Sequence, residues 1–246
     1  MHILITRPKE DAVFLANRLN NRDIKCIVEP LIEIVYLDKP MPNLSSVYAI
    51  LITSANGIRA LARLSSDRTI AIWTVGDASA STALSLGYRN VKSASGDVND
   101  FARLVIQNMG GSKRPLLHIS GSQVAGDLGK HLKSAGLLYK RCILYEAQAR
   151  LKLSENTSRM IRKGLMDGVM LYSPRTAEIF LKLIINLGLG KKLRGLSVFC
   201  LSEAVEKKIK MMQWKKIAVA QFPNEASLIR EILDSKATLM KTISKY

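Results

Sequence analysis

Short polar segments follow the apolar runs of this sequence, and they are the positions at which its chemistry could take place. In Gly168-Val-Met-Leu-Tyr-Ser-Pro-Arg175, the run Val169–Tyr172 suits a buried strand and Ser173-Pro174 is typical of a helix start. Tyr172 would therefore lie at the carboxyl end of a strand, which is the edge where open α/β sheets bind ligands. The segment Ala49-Ile-Leu-Ile-Thr-Ser-Ala-Asn-Gly57 repeats this pattern earlier in the chain.

Other predicted strands end in small polar residues of the same kind, and most of these positions open a helix. Free N–H groups at a helix start attract carboxylates or phosphates, each by about 0.3–1 kcal/mol. One such end is an ordinary helix cap, but several facing one cleft would form a receptor for a polyanion. The candidate binding residues are Arg7, Thr53, Ser54, Asn56, Gly76, Asp77, Ser120, Gly121, Ser122, Ser173, Ser202 and Asn224.

Several common catalytic motifs do not occur in the sequence. There is no Gly-x-Gly-x-x-Gly after the first strand, no phosphate-binding Gly-x-x-x-x-Gly-Lys-Ser/Thr and no Gly-x-Ser-x-Gly, so we expect no nucleotide cofactor and no serine nucleophile. His118 lies inside an apolar run and is interpreted as a hydrogen-bonded core histidine. The three cysteines, Cys26, Cys142 and Cys200, are widely spaced in apolar surroundings, which favours buried free thiols over a metal site or disulfides.

The formal net charge of +17 is compatible with binding either nucleic acid or an anionic small molecule. Basic pairs such as Lys191-Lys192 and Lys215-Lys216 have no aromatic stacking platform or Cys/His finger beside them. We therefore interpret them as a solvated surface and expect no nucleic-acid partner. No stretch is apolar for long enough to span a membrane, and Ile3–Ile5 is too short for a signal-peptide core, so we expect a cytoplasmic protein without a membrane partner.

Strand-like and helix-like segments alternate along the whole chain. The central block contains enough strands for a complete α/β domain, whereas the segment after it has too few unless the first two strands of the chain join it. This arrangement predicts a discontinuous first domain over residues 1–36 plus 149–246 and an inserted second domain over 37–148. Two extended connectors, near 31–36 and 142–148, are expected to pair as antiparallel strands between them.

An ordered set of motifs resembles the uroporphyrinogen-III synthase family over nearly the whole chain. The set comprises Thr6-Arg-Pro8, Pro30-Leu-Ile-Glu-Ile34, Ile52-Thr-Ser-Ala-Asn-Gly57, Val75-Gly-Asp-Ala78, Leu171-Tyr-Ser-Pro174, Cys200-Leu-Ser-Glu203 and Ala220-Gln-Phe-Pro-Asn-Glu-Ala226. The resemblance implies an α/β fold with two flavodoxin- or Rossmann-like parallel-sheet domains joined by a two-stranded antiparallel linker. It also implies a cyclising lyase of haem biosynthesis, which closes hydroxymethylbilane, a linear tetrapyrrole with eight carboxylates, to uroporphyrinogen III with inversion of ring D and loss of water.

The resemblance further implies roles for individual residues. Tyr172 would assist departure of the substrate hydroxyl, although a tyrosine that merely ends a strand with its hydroxyl in water is the simpler interpretation. Thr53, Ser54 and Asn56 would bind substrate carboxylates, largely through backbone N–H groups. The last motif departs from the family, since Pro223-Asn224-Glu225 replaces the usual Pro-Thr-Glu and lacks a hydroxyl.

No cofactor or metal takes part in the family's reaction, so we expect none. The expected partners are hydroxymethylbilane and hydroxymethylbilane synthase, which could transfer the bilane to this protein. The protein itself is expected to be a monomer. Three alternatives remain at this point: a non-catalytic bilobed module that binds a tetrapyrrole or another polyanion, a nucleic-acid binder suggested only by charge, and a periplasmic-type binding protein, which the missing export signal disfavours.

Overall fold

The apolar runs of the sequence form parallel strands, and most of them lead into a helix. The computed structural model describes residues 1–109, 111–124 and 126–243. Gly110 and Ala125, which the sequence places in a turn and at the start of a helix, lie outside the described residues. The chain divides into a discontinuous unit, Met1–Glu33 with the chain from Gln148 onward, and an inserted unit, Ile34–Ala147.

The elements are numbered in chain order. The chain begins with β1 (His2–Ile5), α1 (Lys9–Asn20) and β2 (Lys25–Val28). It continues with β3 (Ile32–Tyr36), β4 (Ala49–Ile52), α2 (Ala55–Leu64), β5 (Ile72–Thr74), α3 (Asp77–Ser85), β6 (Val91–Ser93), α4 (Val98–Asn108), β7 (Leu116–Gly121), α5 (Leu128–Ser134) and β8 (Tyr139–Ala149). It ends with α6 (Glu155–Arg162), β9 (Gly168–Leu171), α7 (Pro174–Asn186), β10 (Ser197–Cys200), α8 (Glu203–Ile209), β11 (Lys216–Val219) and α9 (Glu225–Ile243).

The discontinuous unit contains a five-stranded sheet in the order β11-β10-β9-β1-β2, with every neighbouring pair parallel. Residues alternate between two cores, as strand geometry requires. Leu4 and Val169 join the core under α6, α7 and α8, whereas Ile3 and Met170 join the core under α1 and α9. The three central strands are therefore covered on both faces, which explains why nearly all of their residues are apolar.

The inserted unit contains a sheet in the order β3-β8-β7-β4-β5-β6, in which β4 to β8 are parallel. β3 lies beside β8 with the opposite direction, since Leu37 N–H bonds to the Leu144 carbonyl while Arg150 N–H bonds to the Leu31 carbonyl. These two strands carry the chain into and out of the inserted unit. The predicted fold class, two parallel-sheet α/β domains with an antiparallel two-stranded linker, is confirmed.

Each sheet has one point at which the chain reverses its direction of growth. In the discontinuous unit this point lies between β1 and β9, and in the inserted unit it lies between β4 and β7. Connections leave these paired strands on opposite sides, so a crevice forms at their carboxyl ends, where open α/β sheets bind ligands. The residues that follow β1, β9, β4 and β7 are therefore the candidates for ligand binding.

A buried carboxylate joins the two chain segments of the discontinuous unit. Glu29, which follows β2, is only 6% exposed. It accepts hydrogen bonds from Ser154 N–H at 3.1 Å, from Ser154 Oγ at 2.5 Å and from Thr157 Oγ1 at 2.5 Å. The start of α6 is thus fixed to the segment that leaves for the inserted unit.

Gly57 marks a close approach between α2 and β7. A Cβ atom placed on Gly57 would lie 2.9 Å from the backbone carbonyl oxygen of Ile119, and a strand carbonyl cannot rotate away as a side chain can. Only a glycine lets the helix pack at this distance.

We expect Gly57→Ala to lower the free energy of unfolding by about 1–3 kcal/mol because the added methyl group overpacks a buried helix–strand contact. Denaturant-induced unfolding followed by circular dichroism measures the change. Gly195→Ala is the matched control, since no atom lies within 4 Å of its added Cβ. Equal stability of the two variants would contradict this account of Gly57.

Candidate functional site

The carboxyl ends of β1 and β9 lie side by side in the discontinuous unit. Thr6 Oγ1 donates a hydrogen bond of 2.6 Å to the Met170 carbonyl, which joins the two strands where they end. The next residue, Arg7, stacks its guanidinium on the Tyr172 ring at 4.7 Å from the centroid. Two of the predicted site residues are therefore in direct contact, although they are far apart in the sequence.

Arg7 also pairs with two carboxylates. Its Nη1 donates to Glu225 Oε2 at 2.8 Å, and its Nη2 lies 3.3 Å from Asp11 Oδ2. Arg18 Nη1 contacts the other oxygen of Glu225 at 2.6 Å. Arg7, a predicted binding residue, is thus paired with acidic neighbours from the first turns of α1 and α9.

Tyr172 is half-buried, and its ring packs against the core under α1 and α9. Its hydroxyl lies 3.9 Å from Met170 Sδ, which is a weak acceptor. Burial, as the largest cause, raises the pKa of this phenol above its ordinary value, and the adjacent Arg7 offsets part of that rise. The hydroxyl is therefore protonated at neutral pH.

The remaining predicted residues of this unit begin its helices. Ser173 Oγ accepts the Thr176 N–H at 3.1 Å and caps α7, with Pro174 following as the sequence predicts. Asn224 Oδ1 accepts the Ser227 N–H at 2.9 Å, so the residue that departs from the family's Pro-Thr-Glu still caps the last helix.

Ser202 has a different environment. It precedes α8 without a side-chain capping bond, and Glu203 and Glu206 occupy the first turn of that helix. These residues line an open pocket of about 580 Å³ between the ends of β10 and β11. Two carboxylates oppose the binding of an acid there, so Ser202 is an unfavourable position for binding a substrate carboxylate.

In the inserted unit, the end of β4 supplies Thr53, Ser54 and Asn56. Ser54 Oγ caps α2 by accepting the Asn56 N–H at 3.3 Å. Asn56 Oδ1 accepts a hydrogen bond of 3.0 Å from Arg59. Thr53 Oγ1 lies 3.1 Å from His118 Nε2 on the neighbouring β7. All three side chains thus already have partners within the unit, and the cap also engages the backbone N–H of Asn56.

Arg141 on β8 holds the end of β7 and the first residue of the loop that follows it. Its Nε donates to Ser120 Oγ at 2.8 Å, and its Nη2 donates to the carbonyls of Gly121 at 2.7 Å and Ser122 at 3.0 Å. The Ser122 N–H is also engaged, since it donates to the Tyr145 carbonyl at 3.0 Å. Sequence reasoning missed Arg141, which follows Lys140 near the start of β8 and is exposed, so the sequence carried no clear signal for this role.

Gly76 and Asp77 lie at the end of β5. Gly76 precedes α3, and the Asp77 carboxylate accepts hydrogen bonds from Ser95 Oγ at 2.6 Å and Ser93 Oγ at 2.7 Å. These two bonds, that from Ser95 first, lower the pKa of Asp77. Asp77 therefore ties two strand-end loops together and presents a carboxylate, which is the wrong charge for contacting a substrate acid directly.

His118 is 2% exposed, and both of its ring nitrogens have partners. Nε2 faces Thr53 Oγ1, and Nδ1 lies 2.7 Å from the hydroxyl of Tyr139 on β8. Burial first, and then the charge of Arg141, lower the pKa of His118 to about 4. The interpretation of His118 as a hydrogen-bonded core histidine is confirmed, whereas its contact with a predicted site residue was not foreseen.

The three cysteines differ in how far they are buried. All three cysteines are free, but only Cys200 is buried, while Cys26 and Cys142 are half-buried, so the prediction of three buried thiols is wrong for two of them. Burial raises the pKa of Cys26 to about 11, which makes it a poor nucleophile. Over the described part of the chain, no group of three His, Cys, Asp or Glu residues is placed to hold a metal ion. In the same part of the chain, no helix combines the length and the apolar character required to cross a membrane.

Comparison with known proteins gives one family and several solved structures. The family model described as uroporphyrinogen-III synthase HemD matches residues 14–230. The structure of uroporphyrinogen-III synthetase from Helicobacter pylori is 12% identical, with a TM-score of 0.65, covering 95% of this chain and 98% of that chain. A mutant uroporphyrinogen III synthase from the extremely thermophilic bacterium Thermus thermophilus is 12% identical, with a TM-score of 0.54, covering 98% of this chain and 99% of that chain. At this identity the two structures show a shared fold. The comparison with curated proteins gave no significant match.

We expect His118 to make the protein less stable in mild acid. Its pKa falls from the ordinary 6.5 to about 4 on folding, so between these pH values the unfolded chain binds a proton that the folded chain does not. The free energy of unfolding should therefore decrease by about 3 kcal/mol as the pH falls through this window, on account of this residue alone. NMR titration of the His118 ring protons is the direct measurement, with His118→Gln as the assignment control. A midpoint near 6.5 would contradict the prediction.

Proposed function

We propose that this chain, which belongs to the uroporphyrinogen-III synthase family, converts hydroxymethylbilane to uroporphyrinogen III. The observation that carries the proposal is the family match over residues 14–230, which bears out the resemblance of the motifs. The reaction closes the linear tetrapyrrole with inversion of ring D and releases water, which makes the protein a cyclising lyase of haem biosynthesis.

The polar strand ends suit the demands of this substrate. A flexible molecule with eight carboxylates must be folded before its ends can react, and orientation by itself lowers a reaction barrier substantially. Each unit provides helix starts at the carboxyl edge of a parallel sheet, including those after Ser54 and Ser173. Helix N-termini favour negative charge and need no side-chain acid or base to do so. We therefore assign substrate binding to these backbone groups.

Tyr172 is the residue that we assign to the departing hydroxyl. Its phenol keeps its proton because burial raises its pKa, and a protonated phenol can donate a hydrogen bond to the leaving oxygen. Its present contact, with Met170 Sδ at 3.9 Å, is weak and costs little to exchange for a substrate oxygen. The guanidinium of Arg7 over the ring stabilises negative charge that develops at this position.

The test of the proposed function is isomer analysis of the product. Porphobilinogen and its deaminase generate hydroxymethylbilane in the presence of the purified protein, and the porphyrins are separated after oxidation. We expect the type III isomer to replace the type I isomer that forms spontaneously. Type I product alone would refute the proposal, and binding of the bilane without turnover would favour the non-catalytic module.

We expect Tyr172→Phe to lower kcat about 100-fold because it removes the proton donor for the leaving group. Unfolding should change little, since the hydrogen bond of the hydroxyl to Met170 Sδ is long at 3.9 Å. Tyr48→Phe is the matched control, because the Tyr48 hydroxyl donates to the Asn108 carbonyl at 3.1 Å in the other unit. This control should keep its turnover while losing some stability. Unchanged turnover in Tyr172→Phe would remove Tyr172 from the mechanism.

A further inference from the structure

We propose that the inserted unit contains a dedicated anion pocket under α5, and that this pocket receives a carboxylate-bearing arm of a pyrrole ring. The inference rests on the proposed function for the identity of the ligand. The pocket has a volume of about 420 Å³ and lies between α5 and the face of the sheet that carries His118. We call it the α5 pocket. It is lined by Thr53, His118, Val124, Gly126, Asp127, Leu128, Gly129, Lys130, Lys133, Ser134, Tyr139 and Arg141.

The lining of the α5 pocket is positively charged. The lining contains three cationic side chains, those of Lys130, Lys133 and Arg141, and one carboxylate, that of Asp127. Asp127 is engaged in accepting the Lys130 N–H at 2.9 Å, and Arg141 is engaged with the end of β7. Lys130 and Lys133 are exposed, and neither has an ion-pair partner among residues 1–109, 111–124 and 126–243. Two ammonium groups are therefore available to an incoming anion.

The hydrogen-bonded chain Thr53–His118–Tyr139 adds an oriented donor to this charge. A neutral imidazole donates from one nitrogen and accepts at the other. If Tyr139 donates to Nδ1, then Nε2 donates to Thr53 and the threonine proton is unused. If Thr53 donates to Nε2, then Nδ1 donates to Tyr139 and the tyrosine proton is unused. In either tautomer, one hydroxyl of the lining keeps a proton for a ligand oxygen, and a carboxylate accepts such a bond strongly.

The position and size of the α5 pocket fit a small acid. Thr53 follows β4 and His118 lies on β7, so the pocket opens at the reversal point of this sheet, where ligands of open α/β folds bind. Its volume lies within the range of about 300–1,000 Å³ that is typical of small-molecule sites. A monopyrrole that bears an acetate and a propionate arm has the required charge, whereas free phosphate shares only the negative charge.

Porphobilinogen is such a monopyrrole and serves as the probe. The full-length protein is titrated with it, and the ring protons of His118 are followed by NMR as a reporter inside the pocket. We expect a saturable shift at millimolar probe, and we expect Lys130→Gln/Lys133→Gln to bind about tenfold more weakly. Both lysines are exposed, so this variant should fold normally. Lys191→Gln/Lys192→Gln is the charge-matched control on exposed lysines of the other unit and should bind as the wild type does.

Each result decides the inference. A His118 shift that is absent in the wild type, or equal in all three proteins, overturns the pocket. A shift with inorganic phosphate and none with porphobilinogen overturns the assignment of a carboxylate arm.

A kinetic comparison separates this inference from the proposed function. With hydroxymethylbilane as substrate, Lys130→Gln/Lys133→Gln should raise KM about tenfold while kcat stays within about twofold, because a contact to a non-reacting arm stabilises the bound substrate and the transition state equally. Type III product with an unchanged KM in this variant would leave the function standing and overturn the pocket. Absence of type III product from the wild type would overturn the function, and the NMR titration would still decide whether the α5 pocket binds the monopyrrole.

Discussion

Burial of the central parallel strands on both faces is the constraint on which the rest of this structure depends. Helices cover both sides of β1, β9 and β10, and both sides of β4, β5 and β7. A polar side chain on these faces must therefore find its partners inside the protein, as His118 does, and the predicted site residues collect mainly where the strands end. Since parallel strands end at the same edge, residues far apart in the sequence meet there. Arg7 on Tyr172 and Thr53 beside His118 are two results of this rule.

Each unit stabilises its polar edge with an arginine. Arg7 joins Tyr172 to the carboxylates of Asp11 and Glu225, and Arg141 binds the end of β7 and the residue after it through three hydrogen bonds. A guanidinium suits this task because its planar set of donors can satisfy several acceptors at once. The loops at both edges are consequently fixed before any ligand arrives, which reduces the entropy that binding would otherwise lose.

The sequence predicts the fold better than it predicts the site. Apolar periodicity and helix capping are local properties, so the alternation of strands and helices, and the caps at Ser54 and Ser173, follow from neighbouring residues alone. The contact of Tyr139 with His118 depends on the pairing of β7 with β8 and on side-chain rotamers, neither of which a single sequence reveals. The same is true of Arg141, and of Glu203 and Glu206 beside Ser202, whose charge changes what that helix start can bind.

The bond network of Glu29 has a consequence for how the chain acquires its structure. β1 pairs with both β2 and β9, and Glu29 meets Ser154 and Thr157, so the first unit depends on partners that a ribosome produces only after the whole intervening segment. The segment between them is continuous and forms its own sheet, and domains generally fold as units during synthesis. Once it is compact, its two linker strands bring the separated pieces together, which shortens the effective loop that must close. The insertion thus helps to bring together the two parts of the domain that it interrupts, and nascent β1 lacks its second parallel partner until translation passes β9.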